Sequence, residues 1–368
     1  MRVGIITFYY KSHNYGGLLQ SYALAHYISS LGVDCEQICY ERANITPHLS
    51  IFKKAKHKIV RFANRTFFLK KNKKIKKFQE IIPHSSTIYT YNTINQCDNY
   101  YDAFIVGSDQ MWNPDWYEPA HFLEFVSSKP KISYAVSIGK KNIRPAERKM
   151  FETIDSFSSI SVREKDAQFL LLPFTKKRIV QCVDPVFLIK KEQWDSIAVD
   201  PSIKAPYLYC HFISDDKNLR RIAKKYAKTN RLKIVSLHHP SHFNKSDIFF
   251  GDIRINSAGP ADFISLVKNA SIVFTDSFHC CAFSVIFHKN FFAFHRLGNE
   301  GMSSRIESLT SLIQSPNHFC NISEKISLDY LNTQPNIDYD KSKETINSFI
   351  DSSKQFIDGA LFNNLKND

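Results

Sequence analysis

The nine residues Thr275–Phe283, T-D-S-F-H-C-C-A-F, end one apolar run and lead into another. The run before them, Ser271–Thr275, is short and contains isoleucine, valine and phenylalanine, which favours a buried parallel strand. The run that follows, Cys280–Phe287, can form a helix. In open α/β sheets, ligands bind at the carboxyl ends of strands, where the next helix begins and its N–H groups point outward. The stretch therefore predicts a parallel α/β fold with a site at this junction.

Two side chains of this stretch suit proton transfer. His279 stands at the predicted start of the helix, and Asp276 lies three residues before it. An imidazole in that position is a candidate general acid or base, so we predict that both residues are catalytic. The alternative is structural: Asp276 or Ser277 caps the helix, and His279 is a core residue.

Short apolar strands alternate with helical stretches along the chain, which predicts parallel, doubly wound sheets. In the first half the predicted strands are Val3–Phe8, Cys35–Tyr40, Ala103–Val106, Ile132–Ser137, Ser159–Val162 and Arg178–Cys182. After a proline-bearing passage the alternation begins again, with strands predicted at Tyr207–Phe212, at Leu232–Leu237, and from Ser271 and Phe291 onward. The pattern predicts an α/β protein with two Rossmann-like, parallel-sheet domains.

The predicted first domain spans residues 1–185 and the second spans residues 186–340, with a hinge near residues 185–205. A chain of 368 residues is too long for one ordinary core, which supports this division. Residues 341–368 contain apolar side chains at helical spacing and predict a closing helix that can pack back on the first domain.

The composition of the chain indicates the cellular compartment in which the protein works. The first ten residues are apolar, but Lys11, Ser12 and His13 interrupt them, which favours a first strand over a signal peptide. No run approaches the roughly 18 apolar residues of a membrane helix. The eight cysteines lie in or beside apolar segments without a C-x-x-C pair, which indicates buried thiols in a reducing compartment. We expect a cytoplasmic protein with no essential metal, because no cluster of ligating residues stands out.

Most of the net charge of +14 comes from one segment. Residues 53–77 contain twelve Lys or Arg and no acidic residue. Within the insertion 51–78, Phe52, Ala55, Ile59 and Phe62 recur at helical spacing, which predicts a basic amphipathic helix. Such a helix suits peripheral contact with an anionic membrane or a diphosphate-bearing lipid substrate. The alternative is a solvated surface insertion, and no motif for nucleic acid accompanies the run.

Polar residues that packing alone does not require follow two other predicted strands. After the first strand, Asn14, Gly16 and Gly17 let backbone N–H groups close on an anion or a sugar, although an ordinary tight turn fits as well. After Val106 the chain offers hydroxyl-binding groups and an indole face that suit a sugar, namely Asp109, Gln110, Trp112 and Asn113. The alternative is a turn anchored by its tryptophan.

Arg163 follows Val162, where another predicted strand ends. Its guanidinium can bind phosphate or carboxylate in a bidentate manner. A salt bridge to Glu164 or Asp166 explains it equally well.

Together these segments resemble the polysaccharide pyruvyl transferase family, whose architecture is similar to that of two-domain GT-B glycosyltransferases. The matching segments occur in family order over residues 1 to about 310: N-Y-G-G-L-L-Q at 14–20, F-I-V-G-S-D-Q-M-W-N at 104–113, S-Y-A-V-S-I-G at 133–139, S-V-R-E-K-D at 161–166, V-D-P-V-F at 183–187, and G-P-A-D-F and F-T-D-S-F-H between 259 and 279. The resemblance implies a GT-B-like arrangement with a cleft between the domains.

The resemblance also implies a reaction. Phosphoenolpyruvate, as co-substrate and without any further cofactor, gives its pyruvyl group to two hydroxyls of a sugar or lipid-linked oligosaccharide acceptor. The products are a cyclic ketal and phosphate. By resemblance, His279 is the acid–base residue and Arg163 holds the phosphate or carboxylate of the donor. Asp276 then orients His279 or raises its pKa, or it caps the helix.

This chain departs from the family at one position. Many members carry arginine and leucine just before the histidine, where this chain has Ser277 and Phe278. The departure removes a cation expected to touch the donor beside Ser277. We predict Arg305 as its replacement, with Arg296 second, because both follow the last predicted strand of the second domain. Ordinary surface arginines are the alternative.

Two other functions fit the same sequence. A GT-B-like cleft can take a nucleotide-activated sugar, which predicts glycosyl transfer with release of a nucleotide. A non-catalytic glycan- or membrane-binding relative can also keep the fold. Under that hypothesis, replacing His279 or Arg163 by alanine leaves function intact.

Overall fold

The computed structural model describes residues 1–42, 65–238, 244–296, 300–321 and 326–362. In this part of the chain a first sheet contains seven parallel strands in the order β3-β2-β1-β4-β5-β6-β7. The strands are β1 (Arg2–Ile6), β2 (Asp34–Glu41), β3 (His84–Thr90), β4 (Ala103–Val106), β5 (Lys131–Val136), β6 (Ser159–Val162) and β7 (Ile179–Gln181).

A second parallel sheet follows β7 in the chain. Within the described residues it contains six strands in the order β10-β9-β8-β11-β12-β13. The strands are β8 (Tyr207–His211), β9 (Lys233–Leu237), β10 (Ile253–Ile255), β11 (Ile272–Thr275), β12 (Phe291–Phe294) and β13 (Phe319–Cys320). The prediction of two parallel-sheet α/β domains is confirmed. The first sheet ends at Gln181 and the second begins at Tyr207, on either side of the predicted hinge.

Helices cover the faces of both sheets, which is why the central strands are apolar on both sides. The α-helices of the described residues are α1 (Tyr15–Ser30), α2 (Arg65–Gln79), α3 (Lys165–Leu171), α4 (Lys191–Ile197), α5 (Lys217–Thr229), α6 (Pro260–Lys268), α7 (Phe278–Ile286), α8 (Ser304–Leu312), α9 (Leu328–Thr333) and α10 (Tyr339–Phe362). The predicted strand-to-helix junction at Thr275–Phe283 is therefore the passage from β11 to α7.

Three strands have no counterpart among the predicted ones. In β3 only Ser85 and Tyr89 are buried, because this strand lies at an edge of the first sheet and faces solvent along most of its length. The strand β10 lies at an edge of the second sheet, and β13 lies at the other edge with only two residues. Edge strands lack the continuous apolar run that identifies a central parallel strand.

Helix α1 of the first domain packs against the second domain. The ring of Tyr15 stacks on Phe263 of α6, with their centroids 5.8 Å apart, and the Tyr15 hydroxyl donates to the Ala258 carbonyl at 3.1 Å. One apolar core runs through this contact and joins Leu18 of α1 to Phe283 of α7. The two domains therefore share buried surface around the carboxyl ends of their strands.

The C-terminal helix α10 contacts both domains. The Tyr27 hydroxyl of α1 donates to Asp358 at 2.9 Å, and the Val183 amide donates to the Ser353 hydroxyl at 3.0 Å. On the other domain, the Tyr339 hydroxyl donates to the Lys289 carbonyl at 2.7 Å. The helix thus packs back on the first domain and ties it to the second.

The basic segment is described only from residue 65 onward, so Phe52, Ala55, Ile59 and Phe62 lie outside the described residues. Helix α2 buries Ile75 and Phe78 in the shared core. Its Lys74 ammonium lies 2.7 Å from the Asp262 carboxylate at the start of α6. The described part of the segment is therefore anchored to the second domain.

None of the described helices combines the length and apolar character needed to cross a membrane.

Candidate active site

His279, in the second domain, faces a buried carboxylate from the end of the first domain. Its Nε2 lies 3.5 Å from Oδ2 of Asp184, which follows β7. The Asp184 Oδ1 accepts a hydrogen bond from the Val186 amide at 3.1 Å and so caps a short 3-10 helix. At this distance the two groups make a charge contact and not a hydrogen bond, and the buried Nε2 has no hydrogen-bond partner among the described residues. The carboxylate beside Nε2 favours one orientation of the ring.

Asp184 is ionised although it is buried. Burial alone raises the pKa of a carboxyl group, but the nearby His279 and Arg163 outweigh it and lower the pKa of Asp184 to about 2. The sequence segment V-D-P-V-F contains this residue, yet the sequence analysis gave it no role. The sequence does place an aspartate directly before a proline at the end of a predicted strand, and this pattern could have marked Asp184 as a site residue.

Arg163 links two carboxylates. Its Nη1 donates to Asp184 Oδ2 at 2.5 Å, and its Nη2 donates to Asp109 Oδ1 at 3.2 Å. Burial lowers the pKa of the guanidinium, but Asp184 and Asp109 more than compensate and raise it. The guanidinium carbon also lies 4.7 Å from the ring centroid of Phe278. Both terminal nitrogens therefore contact protein carboxylates, and the buried Nε has no hydrogen-bond partner among the described residues.

Asp109 belongs to the same charge cluster. It is buried, and its backbone φ of 63° lies in the left-handed region, which is uncommon for a residue with a side chain. Burial raises the pKa of its carboxyl group, but Arg163, His279 and Arg305 act against burial, and the net effect is a lowered pKa. Asp109 therefore contributes a second buried negative charge.

Arg305 lies in this cluster too. Its Nη1 is 3.8 Å from Asp109 Oδ1, and its guanidinium carbon is 5.7 Å from the centroid of Phe278. Its Nη2 donates to the Met302 sulfur at 2.9 Å, and its buried Nε has no hydrogen-bond partner among the described residues. Burial and then the charge of Arg163 lower the pKa of Arg305 to about 10, so it remains charged at neutral pH.

Asp276 contacts a different part of the second domain from the one predicted. Its two carboxylate oxygens accept hydrogen bonds from the Ile213 amide at 2.6 Å and the Ser214 amide at 2.9 Å. Asp184, and not Asp276, is the carboxylate that faces His279. The reason is geometric, because a strand end and the first turn of the next helix point their side chains in different directions.

Arg296 and Ser277 lie next to Asp276. The Arg296 Nη2 donates to the Asp276 carbonyl at 2.9 Å, and the rest of its side chain is partly exposed. Ser277 occupies the N-cap position of α7 and is buried, but its side chain makes no capping hydrogen bond. The amide groups of the first turn of α7 are therefore not capped by Ser277.

Gly16 lets helix α1 approach the imidazole of His279. A Cβ atom built at Gly16 would lie 2.1 Å from His279 Nδ1 and 2.3 Å from its Cγ. Asn14 caps the same helix, and its Oδ1 accepts a hydrogen bond from the Gly17 amide at 3.3 Å. The predicted glycine pair thus does bring backbone close to the site, but at Gly16 the close neighbour is the histidine of the other domain.

Trp112 does not offer a face to a sugar. Its side chain is 0% exposed, stacks on Phe122 with centroids 5.7 Å apart, and meets Phe157 edge to face. Its indole N–H donates to the His121 carbonyl at 3.1 Å. The prediction that Trp112 stacks on the acceptor is therefore wrong, because its ring fills the core of the first domain.

The remaining residues of this loop form its turn. The Asn113 side-chain amide donates to Gln110 Oε1 at 2.8 Å, and its Oδ1 accepts from the Asp115 amide at 3.0 Å. Both side chains are buried. The turn presents another tryptophan, Trp116, which is 38% exposed and lies edge to face with Phe8 at 5.9 Å.

Among the described residues, no group of three or more His, Cys, Asp or Glu side chains is placed to hold a metal ion. All eight cysteines are free and buried.

A family model for polysaccharide pyruvyl transferases matches residues 14–296, which include every residue of the cluster except Arg305. The chain belongs to the polysaccharide pyruvyl transferase family. A search of curated proteins finds no match to this chain.

Solved structures resemble the fold over nearly the whole length. UDP-GlcNAc 2-epimerase from Neisseria meningitidis aligns with a TM-score of 0.51 at 12% identity, covering 99% of this chain and 100% of that chain. UDP-N-acetylglucosamine 2-epimerase from Rickettsia bellii aligns with a TM-score of 0.50 at 11% identity, covering 98% and 99%. The N-terminal domain of trehalose-6-phosphate phosphatase from Candida albicans has a TM-score of 0.52 at 8% identity and 98% coverage of both chains. These likenesses establish a GT-B-like fold and nothing further.

The contact between Gly16 and His279 predicts contrasting effects for two neighbouring substitutions. Gly16→Ala inserts a methyl group into the imidazole and should lower the free energy of unfolding by about 1–3 kcal/mol. Gly17→Ala should be neutral or stabilising by up to about 1 kcal/mol, because its Cβ would lie 3.6 Å from its nearest neighbours within a helix. Urea unfolding of both variants checks this, and equal effects would contradict the packing described.

Proposed function

We propose that this polysaccharide pyruvyl transferase transfers the pyruvyl group of phosphoenolpyruvate to two hydroxyls of one sugar, forming a ketal and releasing phosphate. The observation that carries the proposal is the contact of His279 with the buried, ionised Asp184. It lies within a cluster that also contains Arg305, a buried cation with an unsatisfied donor.

In the proposed reaction, His279 exchanges protons with the substrates while its Nε2 faces Asp184. The imidazolium donates a proton to the methylene carbon of phosphoenolpyruvate while a sugar hydroxyl attacks the neighbouring carbon, C2. The proton of that hydroxyl returns to His279. A second hydroxyl of the same sugar then displaces phosphate from C2, and its proton leaves with the phosphate. Asp184 stabilises the imidazolium before its proton is donated and again after a proton returns, and the ring is neutral between these two transfers.

The donor is a small polyanion and needs cations that are not already neutralised. Arg163 is bound to Asp184 and Asp109, so we assign donor binding to Arg305 and Arg296 together with the first-turn amides of α7 beside Ser277. Arg163 instead holds the carboxylates of Asp184 and Asp109 in fixed positions relative to each other. The cation that the family carries at position 277 is then replaced by side chains from α8 and from the end of β12.

We assign the acceptor sugar to the carboxyl edge of the first sheet. Trp116 exposes part of its indole there and is supported by Phe8, whose ring also contacts the Arg42 guanidinium at 5.0 Å. An indole face packs well on the C–H face of a sugar, and a guanidinium donates to hydroxyls or to a phosphate. Asp109, from the loop that leads to this edge, contacts Arg163 and lies 3.8 Å from Arg305. A lipid-linked acceptor would also agree with the basic segment 51–78.

Phosphate release tests the reaction. Incubating the enzyme with phosphoenolpyruvate and glycan precursors in nucleotide-, lipid- and polymer-bound form should release one phosphate for each ketal, as detected by mass spectrometry. His279→Ala should reduce the rate about a hundredfold or more, because proton transfer is lost. His84→Ala, which changes an exposed histidine on β3, should leave the rate unchanged. Release of a nucleotide from a sugar nucleotide, without phosphate from phosphoenolpyruvate, would contradict the proposal.

Kinetics of a Trp116 variant test the acceptor side. Trp116→Ala should raise the KM for the acceptor about three- to tenfold and leave the KM for phosphoenolpyruvate unchanged, because only stacking on the sugar is removed. Trp116→Phe keeps an aromatic face and should recover most of the loss. An unchanged acceptor KM in Trp116→Ala would remove Trp116 from the site.

A further inference from the structure

One side of the second domain combines a basic helix with an exposed aromatic residue, and the proposed reaction uses neither. Helix α5 buries Leu219, Ala223, Tyr226 and Ala227 against the second sheet. Its outer side carries five exposed cations and no acidic residue: Lys217, Arg221, Lys224, Lys225 and Lys228. This side of the helix is therefore strongly positive.

The positive charge continues beyond the helix. Arg231 and Lys233 are exposed at the start of β9, and together with Lys224 and Lys228 they line one shallow depression of the surface. One acidic residue, Asp252, lines it as well, and its carboxylate accepts a hydrogen bond from the Ile234 amide at 2.7 Å. The cations of this depression clearly outnumber its acidic residues.

An aromatic side chain projects from the border of the same depression. Phe249 is 84% exposed, and its neighbour Ile248 is 40% exposed. The loop is fixed to the surrounding cations, because the Lys224 ammonium donates to the Phe249 carbonyl at 3.5 Å and Arg254 donates to the Ile248 carbonyl at 2.6 Å. A phenylalanine held almost entirely in water gains free energy from any apolar surface that covers it.

We propose that this surface, made of the outer side of α5, Arg231, Lys233 and the Ile248–Phe249 loop, docks on an anionic lipid bilayer. The cations lie against lipid headgroups, and Phe249 enters the interfacial region. Each lysine or arginine near such a surface strengthens binding about fivefold, and the attraction falls off within about 10 Å in salt. A nucleic acid would use the cations as well, but it offers no apolar layer for the ring of Phe249.

The elements of this surface do not include helix α2, the described part of the basic segment. The depression and the Ile248–Phe249 loop lie at the amino ends of β9 and β10, whereas the site that contains His279 lies at the carboxyl ends of the strands. Binding here would hold the protein at a membrane without covering that site. The inference does not depend on the proposed reaction, since it requires no donor or acceptor.

Sedimentation with vesicles tests the proposal on the full chain without substrates. The wild-type protein should bind vesicles of phosphatidylcholine and phosphatidylglycerol, and only weakly those of phosphatidylcholine alone. Lys224→Glu/Lys228→Glu should weaken binding at least tenfold, and Phe249→Ser severalfold, because headgroup attraction and ring insertion are lost. These positions are exposed, so unchanged thermal unfolding should accompany the loss.

The control is a variant with the same change of charge at the same helical spacing on α2. Lys73→Glu/Lys77→Glu, both exposed, should bind vesicles at least about tenfold more tightly than the α5 variant. Equal losses in the two variants would mean that total charge, or the basic segment as much as this surface, governs binding, and either result would overturn the proposal. Binding of the wild type to a DNA duplex but not to anionic vesicles would overturn it too.

Discussion

The buried carboxylate of Asp184 is the constraint on which the arrangement of the site depends. A carboxylate removed from water needs charged partners, and here His279 and Arg163 supply them from the two domains. The partners are far apart in sequence and meet only when the domains are packed together. The same contact that makes the buried charge tolerable also orients the imidazole that we propose for proton transfer. Removing one partner would leave an uncompensated charge in the interior.

Packing between the domains allows this meeting. Gly16 has no side chain, and the first turn of α1 can therefore lie directly against the His279 ring. The apolar core shared by α1 and α7 holds the two elements at that distance, and α10 contacts both domains from the other side. Helix α1, the first helix of the first domain, thus forms one wall of the site around His279 in the second domain. Apolar packing and site geometry are coupled here, because a shift of α1 changes the surroundings of His279.

The sequence predicted the central strands well, because a continuous apolar run of four to six residues is a direct consequence of burial on both faces. It did not predict β3, whose side chains mostly face water, or the short edge strands β10 and β13. It predicted that Trp112 faces a sugar, but not that Trp112 fills the core while Trp116, further along the same loop, is partly exposed. Which indole faces solvent depends on Phe122 and Phe157, and the pattern of a single loop does not contain that information. Asp276 was predicted as the partner of His279 because it is close in sequence, whereas the carboxylate that faces His279 lies 95 residues away, at Asp184. Arg305 was selected by its place after the last strand, and the structure puts it beside Arg163 and Asp109. Its contact with the donor stays a prediction.

The proposal that Asp184 acts through His279 is tested most directly by a double-mutant cycle in the rate of ketal formation. Asp184→Asn alone should slow the reaction markedly, because the variant cannot stabilise the imidazolium. In the His279→Ala background the same substitution should cause little further loss, since the group it acts through is absent. Circular dichroism should confirm that all three variants remain folded. Losses that multiply, with the double variant slower than either single variant by the product of their effects, would show that Asp184 and His279 act independently and would contradict the pairing proposed here.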